Sequence, residues 1–310
     1  MLGLGLSLTT GGVATPAYVA LAKAFVTRVE ADGGTVESFA CLKTDMAYLT
    51  SNPAAPDLLL NDYGGAAAAY SLRLLDKSYT GDAIVVTTNG SDSASIGFVN
   101  NELDTASLEA FANGGDAYVT TWYDQSGNGN DVANTTFSSM PKIVSAGSTI
   151  LESGKPSIDF AANKFLFESS VSLTQPFTRF SVRRYTDEVT SRDVFLQQNV
   201  ASFTNLIDIG YTINKSNFGS YLSGDTETFT NNISYLLANG VNSETKENNS
   251  TLYTGDNGTN GLSGLRVGQS TIQFFRSNVK GQEIIIWDND QSTNRTGIET
   301  NINTHYSIYP

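Results

Sequence analysis

The sequence has few of the residues from which crosslinks and metal centres are built. Its 310 residues include one cysteine, Cys41, and one histidine, His305. An intrachain disulfide, a cysteine-based zinc site and a multi-histidine metal site are therefore excluded. A Ser-His-Asp triad would have to use His305, and we interpret that residue as an ordinary surface or packing residue.

Charge is also scarce, and its balance is acidic. Charged residues make up 16% of the chain and the net charge is −13. The strongest basic cluster is Arg179, Arg183 and Arg184, which we expect on solvated strand faces. We therefore expect no binding to nucleic acid or to anionic membrane. No apolar run is long enough to span a membrane, and the N-terminus lacks the positive region of a signal peptide.

The clearest helix signal lies near the N-terminus. Thr15 and Pro16 suit a helix start, and Leu21, Phe25 and Val29 fall on one face. This helix either docks on its own domain or inserts into a partner. We predict that residues 1–62 form an arm and attachment region, and that residues 63–310 form a separate domain.

From Ala83 onward, short strand-like runs alternate with Gly, Asn, Asp, Ser and Pro. This spacing predicts a mainly β protein with a concanavalin-like antiparallel β-sandwich, or jelly roll, after the small helical segment. The run "AAAAYSLRLL", Ala66 to Leu75, predicts one short helix. Ile298, Ile302 and Tyr306 stand at helical spacing and predict a terminal helix.

The stretch "WYDQSGNGND" concentrates polar groups in one loop. Asp124 can accept backbone N–H bonds, and Gly127 and Gly129 permit positive φ, so a tight turn explains the loop. Its oxygens also suit calcium, although the spacing is not that of an EF-hand. The calcium candidates are Asp124, Asn128, Asn130 and Asp131. A catalytic role for the loop stays a third alternative.

Three quoted stretches carry a resemblance to a known family. "AAAAYSLRLLDKSYTGDAIVV", "GDAYVTTWYDQSGNGNDVANTTFSSMPKIV" and "GKPSIDF" resemble the catalytic domain of B-type α-L-arabinofuranosidases, across residues 64–310. The resemblance implies a laminin G-like sandwich. It places Gln269 of "VGQST" where that family has its acid/base aspartate, and Asp208 is the one carboxylate in the span compared with its nucleophile. Glu283, in "EIIIWD", is a further weak candidate. We therefore expect a retained scaffold with lost chemistry.

A second resemblance covers the whole chain. The start, the helix and the closing "DQSTNRTGIETNINTHYSIY" resemble virion structural proteins of tailed bacteriophages. This implies a non-enzymatic capsid decoration, head fibre or tail-associated protein, made in the host cytoplasm and released by lysis. Its expected partners are other virion proteins, copies of itself and a host or environmental glycan. The glycan-binding candidates are Trp122, Tyr123, Tyr211 and Trp287. The alternatives are an arabinofuranosidase-like glycoside hydrolase and a bacterial carbohydrate-binding surface protein.

Overall fold

The computed structural model describes residues 58–310, apart from 162, 187–193, 198–205, 210–213, 219, 224–229 and 269–277. Leu58–Pro310 form one compact unit. The predicted attachment helix with Leu21, Phe25 and Val29 lies outside the described residues, as do Tyr211 and Gln269. Among the described residues, no helix combines the length and the hydropathy that crossing a membrane requires.

The described chain is mainly β, as predicted. Its strands are β1 Ala66–Ser71, β2 Ile84–Thr87, β3 Ala94–Ile96, β4 Phe98–Val99, β5 Glu102–Leu103, β6 Ala117–Trp122, β7 Val132–Ala133, β8 Lys142–Ser145, β9 Ser148–Thr149, β10 Leu151–Glu152, β11 Lys155–Pro156, β12 Ile158–Phe160, β13 Leu166–Leu173, β14 Phe177–Tyr185, β15 Val194–Gln197, β16 Leu206–Ile209, β17 Asn214–Asn217, β18 Tyr221–Ser223, β19 Asn232–Ala238, β20 Ser243–Glu247, β21 Tyr253–Gly255, β22 Leu262–Val267 and β23 Val279–Trp287. The helices are α1 Leu59–Asp62, α2 Thr105–Ala112 and α3 Arg295–Tyr306, with short 3-10 turns at Phe137–Ser139 and Gly240–Asn242.

Nineteen of these strands form one large curled antiparallel sheet whose two halves make the layers of a β-sandwich, while β4 with β5 and β10 with β11 form two separate pairs. In the back sheet, β23 lies between β14 on one side and β1 and β12 on the other, and β14 continues into β19, β20 and β21. The front sheet runs β3, β2, β6, β7, β13, β22, β15, β16, β17, β18. Strand β8 joins the two because it pairs with both β6 and β12.

The back sheet is buried on both faces. One face carries Tyr70, Ile284 and Ile286 into the core between the two sheets. The other face carries Phe180 and Ile285 against the helical layer. The register between β1 and β23 matches the two faces: Tyr70 lies opposite Ile284 on one face, and Ala69 lies opposite Ile285 on the other. Successive side chains of each strand therefore enter alternately the core between the two sheets and the core beneath the helices.

The terminal helix is confirmed. Ile298, Ile302 and Tyr306 of α3 are all buried against the back sheet. Their spacing of four residues places them on one helix face, and burial of that face stabilises the helix more than its polar composition does.

The helix predicted over Ala66–Leu75 is wrong. Ala66–Ser71 is strand β1, paired with β23 from Trp287 to Glu283. Alanine has the highest helix propensity, but this preference is worth less than about 1 kcal/mol per residue, and pairing with a buried central strand outweighs it. A register shift between Ala66 and Ala68 marks a β-bulge at this end of the strand.

A short helix was not anticipated from the sequence. In α2 the Asp104 side chain accepts a hydrogen bond from the Ser107 backbone N–H at 3.0 Å and caps the N-terminus. Asn113 ends the helix at φ 47°. The signal was present in "DTASLEAFANGG", because an Asp cap and an Asn-Gly stop bracket an apolar pair.

Candidate active site

A polar cluster lies between the two sheets, on the inward face of the back sheet. It is formed by Arg179, Ser181 and Arg183 of β14, Ser234 of β19 and Glu247 of β20. The register places these residues on one face, since Ser181 lies opposite Ser234, and Ser234 lies opposite Glu247. The alternate residues, Phe180 and Val182, go to the helical layer.

Hydrogen bonds hold this cluster in a fixed arrangement. Arg179 Nη1 donates to Ser181 Oγ at 2.9 Å and to the Ser234 carbonyl at 2.8 Å. Arg183 Nη2 lies 3.3 and 3.4 Å from the two carboxylate oxygens of Glu247, and Ser234 Oγ donates to Glu247 Oε1 at 2.9 Å. The Arg183 guanidinium also stacks 4.8 Å from the centre of the Tyr185 ring. Charged groups at such depth need this pairing to offset desolvation.

The arginine cluster therefore corrects the expectation of solvated strand faces. Arg179 and Arg183 are 1% and 0% exposed, while Arg184 is partly exposed and pairs with Glu152 at 2.9 Å. Arginines at alternate positions on a central strand share one face, and here that face points into the sandwich. The alternation was visible in "FTRFSVRRY", but the sequence did not say which face was covered.

A second inward-facing carboxylate lies on the front sheet. Glu168 of β13 is 8% exposed, and its Oε2 accepts hydrogen bonds from the Ser170 backbone N–H and hydroxyl and from the Val171 backbone N–H. Its Oε1 has no hydrogen-bond partner. Burial raises the pKa of Tyr70 well above its usual value, and the nearby carboxylates of Asp124, Glu168 and Asp131 raise it further. Glu168 therefore lies beside Tyr70, at the β1 side of the sandwich.

Glu168 and Glu247 are too far apart to act on one bond. Tyr70, beside Glu168, lies on β1, and Glu247 lies on β20. Strands β23, β14 and β19 lie between β1 and β20, so Tyr70 and Glu247 are four strand spacings, or about 19 Å, apart. Glycosidic carboxyl pairs lie about 5–10 Å apart.

Asp208 lies on the front sheet. It is on β16 in register with Leu196, which is itself opposite Val267 of β22. Strand β16 is three strands along the front sheet from β13.

The Asp124 loop is a hydrogen-bonded turn that closes on β1. Asp124 Oδ1 accepts from the backbone N–H groups of Ala69 at 2.8 Å and Ser126 at 2.9 Å. Its Oδ2 accepts from the Ser126 hydroxyl at 2.7 Å and from the Asn130 backbone N–H at 3.0 Å. The glycines of the loop have φ of 86° and 72°. These contacts explain the carboxylate without a substrate.

The remaining calcium candidates also contact the protein. Asp131 Oδ1 accepts from the Asp124 backbone N–H at 2.9 Å. Asn128 and Asn130 donate their side-chain amides to carbonyls of Ala66 and Ala67. Across the described residues, no group of three or more His, Cys, Asp and Glu side chains is arranged to hold a metal ion. Calcium binding at the loop stays a prediction.

Glu283 has a structural partner. It is 1% exposed and forms two hydrogen bonds with Arg73, at 2.8 and 3.0 Å. It does not lie on an exposed edge, because β23 is the central strand of the back sheet. Its position inside "EIIIWD" signalled burial, and the arginine that neutralises it lies 210 residues away in the chain.

The two tryptophans do not reach the surface. Trp122 is 0% exposed and packs 5.9 Å from Tyr70, and Trp287 is 0% exposed with its Nε1 donating to the Tyr63 and Gly64 carbonyls. Neither can therefore present a ring to a glycan on the surface. Tyr123 is half-buried, and its role stays a prediction.

Solved structures share this sandwich. No family model matches the chain, and no curated protein matches it. A GH54 α-L-arabinofuranosidase soaked with 4-nitrophenyl α-L-arabinofuranoside matches with a TM-score of 0.62 and 12% identity, over 80% of this chain and 64% of that one. An arabinofuranosidase complexed with arabinofuranosyl-α-1,2-xylobiose gives 0.59 and 13%, over the same shares of the two chains. This chain thus spans less than two thirds of the arabinofuranosidases that it matches.

These matches establish the β-sandwich fold, and they correct one expectation. The prediction that the chain is not an enzyme is wrong, because the solved structures that share its fold are glycosidases. The idea that the scaffold had lost its chemistry rested on Gln269, which lies outside the described residues. Neither of these two matched structures is a virion protein, so the phage resemblance gains no support from them.

Proposed function

We propose that this chain is a glycoside hydrolase of the arabinofuranosidase type, which cleaves a terminal furanoside from a polysaccharide. The observation that carries the proposal is the likeness of the sandwich to arabinofuranosidases over 80% of the chain. The polar cluster inside the sandwich gives the proposal its residues, because buried charged groups gathered at one place are typical of functional sites.

Two carboxyl groups are needed for the reaction. One protonates the leaving oxygen, and the other attacks the sugar or activates water. We assign one of these roles to Glu247 of β20, and the other to Asp208, the one carboxylate in the span compared with the nucleophile of the family that the sequence resembles. Arg183 and Ser234 fix the orientation of Glu247. Arg179 adds positive charge beside them, which stabilises negative charge on a carboxylate.

The test is hydrolysis by the full chain. Purified protein is incubated with 4-nitrophenyl α-L-arabinofuranoside and with arabinofuranosyl-xylobiose, and the released nitrophenol and arabinose are measured. We expect turnover by the natural chain and a loss of about 10³-fold or more in kcat for Glu247→Gln and for Asp208→Asn.

Glu244→Gln is the matched control. Glu244 lies on the same strand as Glu247, but it pairs with Leu237 on the opposite face and accepts a hydrogen bond from Tyr235. Its variant should keep turnover within about twofold. No turnover by the natural chain on either substrate, or equal turnover by the Glu247 and Glu244 variants, would overturn the proposal.

A place on a virion is compatible with this activity and stays a prediction. It assigns residues 1–62 to attachment and copies of the chain to a symmetric assembly. Immunogold labelling of purified particles with antibody to residues 63–310 would test it. Label on the particles would support the attachment role, and label confined to the lysate would contradict it.

A further inference from the structure

A cavity lies on the outer face of the front sheet, apart from the arginine cluster. Its volume is about 480 Å³. It is bounded by the end of β2, the C-terminal end of α2, β6 and the 3-10 turn that contains Phe137. Tyr118 points outward because Ala117 and Val119, its neighbours on β6, are buried in the core between the sheets. A cavity of this size falls in the range that holds a small ligand.

Three aromatic rings line this cavity: Phe111, Tyr118 and Phe137. The rings of Tyr118 and Phe137 meet edge to face, with centres 5.0 Å apart and planes at 74°. Phe137 is 38% exposed, which makes it one of the large apolar side chains that the described surface leaves uncovered. A ligand that covers this ring would remove apolar surface from water, which favours binding.

Two carboxylates lie in the same cavity, and the protein holds both in place. Asp116 Oδ2 pairs with Lys142 Nζ at 2.6 Å, and its Oδ1 accepts from the Ala146 backbone N–H at 2.9 Å. Asp92 Oδ1 accepts from the Thr87 hydroxyl and the Thr88 backbone N–H, and its Oδ2 accepts from the Thr88 hydroxyl. Fixed carboxylate oxygens beside aromatic rings are acceptors for hydroxyl groups.

We propose that the cavity formed by Phe111, Tyr118, Phe137, Asp92 and Asp116 is a glycan-binding subsite that holds a neutral sugar ring. Stacking of an aromatic ring on the apolar face of a sugar and acceptance of its hydroxyls by Asp92 and Asp116 would supply the recognition. A cationic ligand fits less well, because Lys142 already neutralises Asp116 and lies 5.7 Å from the centre of the Tyr118 ring.

The choice of a sugar rests on the proposed function, but binding here does not require hydrolysis. A subsite of this kind would hold a polysaccharide chain on the enzyme while another site cleaves it. Weak binding at one surface subsite raises the effective concentration of the same chain at a second site.

The experiment uses xylobiose, a sugar without an arabinofuranosyl bond to cleave. The full chain, labelled with ¹³C in its phenylalanine rings, is titrated with xylobiose while ring chemical shifts are followed. We expect saturable shifts in the natural chain, affinity weakened about tenfold or more in Phe137→Ala, and retained affinity in Phe137→Tyr.

Phe167→Ala is the matched control, since Phe167 is 40% exposed on β13 and does not line the cavity. It should bind xylobiose as the natural chain does. Equal affinity in Phe137→Ala and the natural chain would overturn the inference, and so would binding of choline in place of xylobiose. If the chain binds xylobiose in a Phe137-dependent way but does not hydrolyse arabinofuranosides, the proposed function would be wrong. The inference of a glycan-binding subsite would then still be supported.

Discussion

Arg73 and Glu283 form a two-pronged ion pair inside the protein. Arg73 Nε lies 2.8 Å from Glu283 Oε2, and Nη2 lies 3.0 Å from Oε1. Ser71 Oγ donates to the same carboxylate at 2.8 Å, and the Tyr306 hydroxyl lies 3.2 Å from it. The pair thereby joins β1, β23 and α3 through one buried charge centre.

Breaking this pair should destabilise the fold strongly. Glu283→Ala leaves the Arg73 guanidinium buried without its partner, so we expect the free energy of unfolding to fall by about 3–5 kcal/mol. Denaturation in urea measures it. Lys155→Met breaks the partly exposed Lys155–Glu102 pair and should change stability by less than about 1 kcal/mol. Equal losses in the free energy of unfolding for the two variants would show that burial does not increase the contribution of the Arg73–Glu283 pair to stability.

The sequence predicted those structural elements whose signals lie within a short stretch of the chain. The sandwich and the terminal helix followed from patterns within ten or twenty residues, such as Ile298 and Ile302 on one helix face. The strand at Ala66–Ser71 did not, because its partner β23 lies more than 200 residues away. Local propensity cannot weigh a pairing of that kind.

The site was harder to predict than the fold. Asp124 and Glu283 were singled out as carboxylates in suggestive settings, and the structure gives both of them fixed protein partners. Glu247 has no local signal of burial, because "SETKENN" is typical of a solvated strand end. Its burial comes from Arg183 and Ser234, which contact it only after β14, β19 and β20 are paired.

The Asp124 carboxylate should be needed for stability. Asp124→Asn replaces one acceptor oxygen with an amide donor that faces backbone N–H groups of Ala69, Ser126 or Asn130. We expect a loss of about 2–4 kcal/mol in the free energy of unfolding, since the loop then leaves buried donors unsatisfied. Thermal unfolding of the variant and the natural chain in EDTA gives the value.

The same measurement tests calcium at the loop. Asp131→Asn keeps the fold of the loop closer to native, because Asp131 accepts one backbone hydrogen bond. A rise in the unfolding midpoint when calcium is added, absent in Asp131→Asn, would support the predicted site. Identical midpoints in EDTA and in calcium would contradict it.

Alanine substitutions at two glycines with positive φ would distinguish the cost of backbone strain from the cost of steric crowding. Gly268 has φ of 98°, and a Cβ added there would lie 2.7 Å from the Lys164 carbonyl oxygen and 2.3 Å from the Phe160 ring. Gly154 has φ of 76°, and an added Cβ would meet nothing within 4 Å. We expect Gly154→Ala to cost about 1 kcal/mol and Gly268→Ala to cost clearly more. Similar losses in urea denaturation would mean that crowding at Gly268 is relieved by small shifts.

His305 should make the fold sensitive to acid. Burial, together with the positive charges of Arg73 and Lys155, lowers the pKa of His305 from 6.5 to about 2. Glu102 lies 3.6 Å from Nδ1 and would favour protonation, but Lys155 already pairs with that carboxylate at 2.7 Å. The folded state therefore keeps the imidazole neutral, while the unfolded chain takes up a proton below pH 6.5.

Because the folded pKa is depressed, the contribution of His305 is fully present above pH 6.5 and is lost as pH falls toward 2. Proton linkage sets the slope at up to about 1.4 kcal/mol per pH unit within this window. His305→Gln removes the titrating group, so the difference in unfolding free energy between the variant and the natural chain should shift in favour of the variant from pH 7 to pH 4. Carboxylates that titrate in the same range are common to both proteins and cancel in that difference. Parallel stability curves for the two proteins over this range would mean that His305 takes up its proton at the same pH in the folded and unfolded chains, which would contradict the lowered pKa.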